Sequence, residues 1–145
     1  MPTTMKLLRA EKKINFTKGI KKMARYQFLN VNPLGEIEED CVCRAISLAL
    51  DEDYYKIQEK LYLVAKLFEC ESLCVCCYKY LLDDVYDLKR IEEVRGMTIE
   101  EFANYFPIGI FIVRVEGHLT CVIDNHIMDI WDCRDKIVDL VWEVK

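Results

Sequence analysis

One cysteine, one histidine and a pair of aspartates hold most of the chemistry this sequence could perform. Cys41 follows Asp40 at the head of the run DCVCRAISLAL, and both histidines of the chain fall in the stretch GHLTCVIDNHIMDIWD, residues 117–132. A thiol is a modest nucleophile until a helix N-terminus stabilises its anion or a neighbouring base takes its proton. An imidazole can be that base, and a carboxylate then fixes its tautomer and stabilises its charged form. Cys41, His118 and one of Asp129 or Asp132 are the candidates for these three roles.

The elements that must position them follow from periodicity. Asp40 reads as an N-cap, and Val42, Ala45, Ile46, Ala49 and Leu50 form one apolar helical face, which puts Cys41 in the first turn. There its own backbone N–H would serve an oxyanion hole, whereas Cys43 points about 200° around the helix. A second helix is predicted over YYKIQEKLYLVAKLF, with Asp53 as cap and Ile57, Leu61, Val64 and Phe68 on one side. The segment from Cys70 to Glu93 reads as mostly helical. Thr98 and Glu101 form a capping box that opens a short helix ending before Pro107. Met23 to Asn32 reads as an extended lead-in. From Gly109 the period switches to two, and FIVRVEG, HLTCVID, HIMDIWD and KIVDLVWEV are predicted as four strands. Helices followed by an antiparallel sheet make an α+β domain.

Strand pairing connects the candidates. Across a two-residue turn at Asp124-Asn125, Val122 opposes Ile127, Thr120 opposes Asp129 and His118 opposes Trp131. Opposed residues project to one face, so His118, Asp129 and Trp131 share a face and Asp132 points away. Asp129 lies diagonally from His118, within reach of a ring nitrogen, and Trp131 beside the pair would keep water off it. A slip of one residue would exchange Asp129 for Asp132, so both stay open as the third member.

Composition narrows the setting. The chain has 145 residues, 52% of them hydrophobic and 31% charged, which fits one domain with a sizeable core. Residues 1–22 carry seven Lys or Arg against one Glu and form a basic extension; residues 23–145 form the acidic domain. The acidic body argues against a nucleic-acid protein, leaving the basic arm as the one place for such contact. No apolar run approaches the roughly 20 residues of a membrane helix, and no secretion signal is apparent, so a cytoplasmic setting is expected. The eight cysteines are then read as thiols rather than disulfides. Cys70, Cys74, Cys76 and Cys77 are dense enough to raise zinc. On a helix, though, Cys70, Cys74 and Cys77 would share a face with Leu73 and Leu81, which favours core packing. Arg44, one turn past Cys41, is expected to pair with Asp40 or Glu39.

The run Asp40-Cys41-Val42-Cys43-Arg44-Ala45-Ile46, followed by Gly117-His118 and Asp129-Ile130-Trp131-Asp132, resembles the papain-like cysteine peptidase superfamily. The likeness is to small bacterial and bacteriophage members with a D-C-x-x-R-A-I helix start and a G-H…D-x-W-D hairpin, and it covers roughly residues 26–144. It implies a papain-like fold with N-terminal helices on an antiparallel sheet of about four strands. It further implies a cysteine peptidase acting on a peptide or protein through an acyl-enzyme, with neither cofactor nor metal. Cys41 would be the nucleophile, His118 the base, Asp129 the orienting residue and Trp131 its shield. The C-G-S-C-W signature of the papain subfamily is absent, and Gly35 stands where that subfamily has its oxyanion glutamine. Asn32 or Asn30 would have to supply the amide instead. A papain-like interaction module without activity, and a cysteine-rich zinc protein, are the alternative readings.

Overall fold

Six strands form a single mixed sheet in the order β1-β5-β4-β3-β6-β2. The computed structural model describes residues 24–145, so the basic extension expected over 1–22 lies outside the described residues. In chain order the elements are β1 (Arg25–Phe28), α1 (Cys41–Leu50), α2 (Tyr54–Phe68) and α3 (Val75–Tyr80), the last running into a π-helical turn (Leu81–Val85). There follow β2 (Lys89–Arg90), α4 (Ile99–Tyr105), β3 (Ile110–Val115), β4 (His118–Ile123), β5 (His126–Asp129) and β6 (Leu140–Glu143). The α+β class holds. The expected sheet of about four antiparallel strands is corrected twice. The lead-in becomes β1 and pairs with β5 in parallel, placing Tyr26 beside Ile127 and Phe28 beside Asp129. The two-residue β2, too short to show a period, pairs with the far side of β6. Each addition covers an edge that would otherwise present unpaired backbone groups.

Alternation along the central strands supplies two cores. Ile112, Leu119, Cys121, Leu140 and Trp142 pack with the helical residues Val42, Ile46, Ile57 and Leu61. Phe111, Val113, Val122, Ile127 and Val141 pack on the opposite face with Ile99, Phe102 and Ala103 of α4. That double burial explains why β3 reads as a continuous apolar run. Thr98 and Glu101 make the predicted reciprocal cap of α4, at 3.1 and 3.0 Å. Asp53 caps α2 by accepting from Lys56 N at 3.1 Å. Phe68, expected on the buried side of α2, is exposed.

The β4–β5 hairpin has the predicted register. Val122 opposes Ile127 and Cys121 opposes Met128, across a turn in which Asp124 and Asn125 take φ of 45° and 67°. These are the two positive values a type I′ turn requires.

The helix expected from Cys70 to Glu93 is interrupted. Glu69 ends α2 in the left-handed region, at φ 54°, and residues 70–74 form a tight loop before α3. Cys70 therefore lies off any helical face shared with Cys74 and Cys77. Cys77 is fully buried in the core and Cys70 packs against it, as expected, but Cys74 and Cys76 are exposed, so core packing does not account for those two. Among the described residues, no helix is long and apolar enough to cross a membrane.

Candidate active site

Cys41 opens α1, and its neighbours decide its character. Asp40 occupies the N-cap position but its side chain makes no cap. The carboxylate turns instead to Arg44 Nε at 2.6 Å, Asn32 Nδ2 at 3.0 Å and the Tyr54 hydroxyl at 2.8 Å. Asp40 therefore leaves the first-turn N–H groups without a side-chain cap, and the positive end of the α1 dipole lies at Cys41. This corrects the expected role of Asp40: it anchors Arg44 rather than the helix end.

His118 opens β4 and Asp129 closes the adjacent β5, so both emerge at the same end of the sheet as Cys41. His118 Nε2 donates to Asp129 Oδ2 at 2.6 Å, the length of a charge-assisted bond. Nε2 being engaged, Nδ1 is left for the thiol, and the ring stands near enough to Cys41 to act on its ionisation. Asp129 is 2% exposed and is held from several sides. Arg44 Nη1 donates to its Oδ1 at 3.0 Å, and the backbone N–H of Ile130 donates to the same oxygen at 2.7 Å. The outcome is one buried chain of contacts, from Tyr54 through Asp40, Arg44, Asp129 and His118 to Cys41.

The electrostatics follow from that chain. Burial alone would raise the Cys41 thiol, but the hydrogen bonds from His118 and the Leu119 backbone and the charges of His118 and Arg44 hold it below its ordinary value. Burial opposes the charged imidazole of His118. Hydrogen bonds with Asp129, Cys133 and Cys41, and the Asp129 charge, outweigh burial and push it up to about 11. Burial would likewise raise Asp129; His118 and Arg44 keep its carboxyl below the usual range. Two residues along α1, Cys43 lacks such partners, and burial pushes its thiol up to about 12. The Cys41 and His118 shifts both run in the direction of a thiolate–imidazolium pair.

The remaining candidates separate clearly. Trp131 stands edge-to-face on His118, with ring centroids 4.8 Å apart at 83°, and is 41% exposed, a partial cover over the pair. Asp132 points to solvent and pairs with Arg134 at 2.8 and 2.9 Å. Asn32 is buried, but both amide hydrogens go to carboxylates, Glu38 and Asp40, each at 3.0 Å. The Asn30 amide donates to the Glu36 carbonyl at 2.9 Å. Neither asparagine is among the residues lining the cleft over Cys41, and the structure does not bring either amide to the thiol. The cleft has a volume of about 480 Å³; Leu73, Val75, Tyr78, Ile130 and Trp131 form much of its wall, with Glu38 and Glu39 among its polar lining.

Three contributors escaped the sequence reading. The i,i+4 spacing made Asp40–Arg44 legible, but nothing in the sequence joins Arg44 to Asp129 or Tyr54 to Asp40. Cys133 is fully buried, and its sulfur, an imidazole nitrogen of His118 and an Asp129 carboxylate oxygen lie within 4.8 Å of one another. No protein-family model, curated protein or solved structure matches the chain.

Proposed function

We propose that the protein is a papain-like thiol hydrolase in which Cys41, His118 and Asp129 form the catalytic triad. The observation that carries this reading is the contact chain itself. A thiol on an uncapped helix N-terminus meets an imidazole whose other nitrogen is held at 2.6 Å by a buried carboxylate. The chain order, with a cysteine opening the first helix of a helical half and a histidine and acid following on paired strands, supports the papain-like assignment. The Cys41 thiolate would attack an acyl carbon, the developing oxyanion resting against the Cys41 N–H at the α1 terminus. His118, charged in the resting pair, would pass its Nδ1 proton to the leaving group. Water, deprotonated by the neutral imidazole, would then release the acyl group. The apolar-walled cleft suits an extended peptide, and amide and ester substrates share the same three roles.

The test is covalent capture followed by turnover. A peptidyl vinyl sulfone is expected to modify Cys41 alone among the eight cysteines, and His118→Ala should abolish the selectivity. A panel of fluorogenic peptide amides and activated esters would then separate peptidase from other acyl transfer. Capture no faster at Cys41 than at the remaining thiols would make the domain an interaction module instead.

A further inference from the structure

Away from the cleft, the loop between α2 and α3 gathers four thiols. Cys70 Sγ lies 2.9 Å from Cys77 Sγ and 3.0 Å from Cys76 Sγ, and Cys76 Sγ lies 3.2 Å from Cys74 Sγ. The backbone builds this convergence. The left-handed Glu69 turns the chain off α2, and the Cys74 N–H closes a turn onto the Glu71 carbonyl at 3.0 Å. Cys74 then stands at the N-cap of α3, with Cys76 and Cys77 in its first turn.

Core packing holds Cys77, and Cys70 against it, but neither packing nor a disulfide explains why the exposed Cys74 and Cys76 join them. The separations far exceed the about 2.05 Å of a disulfide. They also fall below the about 3.5–4.0 Å at which unbonded heavy atoms come to rest. Two of the four thiols are exposed, where burial offers no reason to hold them together. Cys70, Cys76 and Cys77 sulfurs lie within 4.8 Å of one another, and Cys74, in contact with Cys76, stands at their edge. A tetrahedral ion about 2.3 Å from each sulfur would set sulfur–sulfur edges of about 3.8 Å, spreading the three crowded thiols and drawing Cys74 inward as the fourth ligand.

We propose that Cys70, Cys74, Cys76 and Cys77 form a structural zinc site that clips the α2–α3 loop. Four soft sulfur ligands within eight residues select a tetrahedral thiophilic ion such as zinc over oxygen-seeking ions. Binding releases the four thiol protons to solvent, including the one Cys77 donates to the Glu71 carbonyl at 3.2 Å, and leaves a closed four-sulfur shell with no open position. The clip has a consequence for the cleft. Leu73 and Val75 flank Cys74 and line the wall above Cys41, so the ion would fix the shape of that wall.

The experiment is metal analysis of the full chain, purified under reducing conditions with zinc supplied and no chelator. About one zinc per chain is expected. Cys74→Ser and Cys76→Ser, both at exposed positions, should each lose at least nine-tenths of it, while Cys41→Ser keeps it; failure of the triad reading therefore leaves this result untouched. Replacement by cobalt should give the thiolate-to-metal charge-transfer absorption of a four-sulfur site, a readout independent of any activity. Folding of each variant is followed by circular dichroism. Wild-type protein that takes up no zinc on titration overturns the site, as does a cobalt spectrum lacking thiolate bands. A Cys70–Cys77 disulfide in the reduced preparation would overturn it equally.

Discussion

Asp129 presents one oxygen to His118 and the other to Arg44, at 2.6 and 3.0 Å, so a single carboxylate orients the imidazole while its own position is fixed by a cation. Iodoacetamide at neutral pH is therefore expected to label Cys41 faster than any other cysteine, because the imidazolium and helix terminus favour its thiolate. Peptide mapping that places Cys41 among the slow thiols would remove it as nucleophile. The labelling rate should rise with pH at a value below the ordinary 9.0 of a thiol. Asp129→Ala should lower the neutral-pH rate on the order of 10-fold, equivalent to about 1.4 kcal/mol of orienting interaction. In turnover assays the same change should bring the alkaline limb, set by His118 near 11, down toward the ordinary 6.5 of an imidazole. Asp129→Asn keeps an acceptor for Nε2 but not the charge, so it should restore part of the rate and little of the limb. Asp132→Ala breaks only an exposed pair with Arg134, at a cost below about 1 kcal/mol, and should leave labelling unchanged. The reverse pattern, damage from Asp132→Ala and silence from Asp129→Ala, would contradict the hairpin geometry.

At the scale of elements, Arg44 joins α1 to β5: it is 6% exposed and pairs with Asp40 at 2.6 Å on its own helix and with Asp129 at 3.0 Å across the domain. Arg44→Met should cost about 3–5 kcal/mol, because it removes the cation shared by two buried carboxylates and leaves Asp40 with neutral donors only. Chemical denaturation measures that loss, and a cost below about 1 kcal/mol would mean that the pairs are solvated. This junction also marks where sequence reading stops. The hairpin was legible because a period of two and an Asp-Asn turn leave only one register that keeps Val122 and Ile127 inside. The α4 capping box was legible because both partners sit three residues apart. The pairing of β1 with β5 was not, since MARYQFLN alternates too weakly to distinguish an edge strand from an extended lead. The Cys70 region misled for a related reason: i,i+4 and i,i+7 spacing mimics a helical face, while the left-handed Glu69 that breaks the helix is a non-glycine residue with no signature. Tertiary ion pairs such as Arg44–Asp129 leave no local pattern at all.

For the molecule as a whole, the charge state of the Cys41–His118 pair is written into the pH dependence of folding. An unfolded chain has a thiol of ordinary value 9.0 and an imidazole of ordinary value 6.5. Between those values it holds one proton on the pair, on sulfur. On the proposed thiolate–imidazolium reading the folded pair also holds one, on the ring. Equal proton counts make the stability contribution of the pair flat across that interval. Above the ordinary thiol value the unfolded chain has lost its proton while folded His118 retains one up to about 11, so stability falls as pH rises through this range. On the acid side the lowered carboxylates of Asp40 and Asp129 contribute stability that is present above the ordinary carboxylate value and lost as pH falls through their folded values. Cys41→Ala separates the two protons. With the thiol gone, folded His118 remains charged by Asp129 where the unfolded imidazole is neutral, so stability should decline from about pH 6.5 upward at up to about 1.4 kcal/mol per pH unit. Urea unfolding of wild type and Cys41→Ala at intervals from pH 6.5 to 9 reads the difference directly, since every other titrating group is common to both. Parallel curves would mean that folded Cys41 keeps its proton and that the resting pair is a neutral thiol beside a charged imidazole.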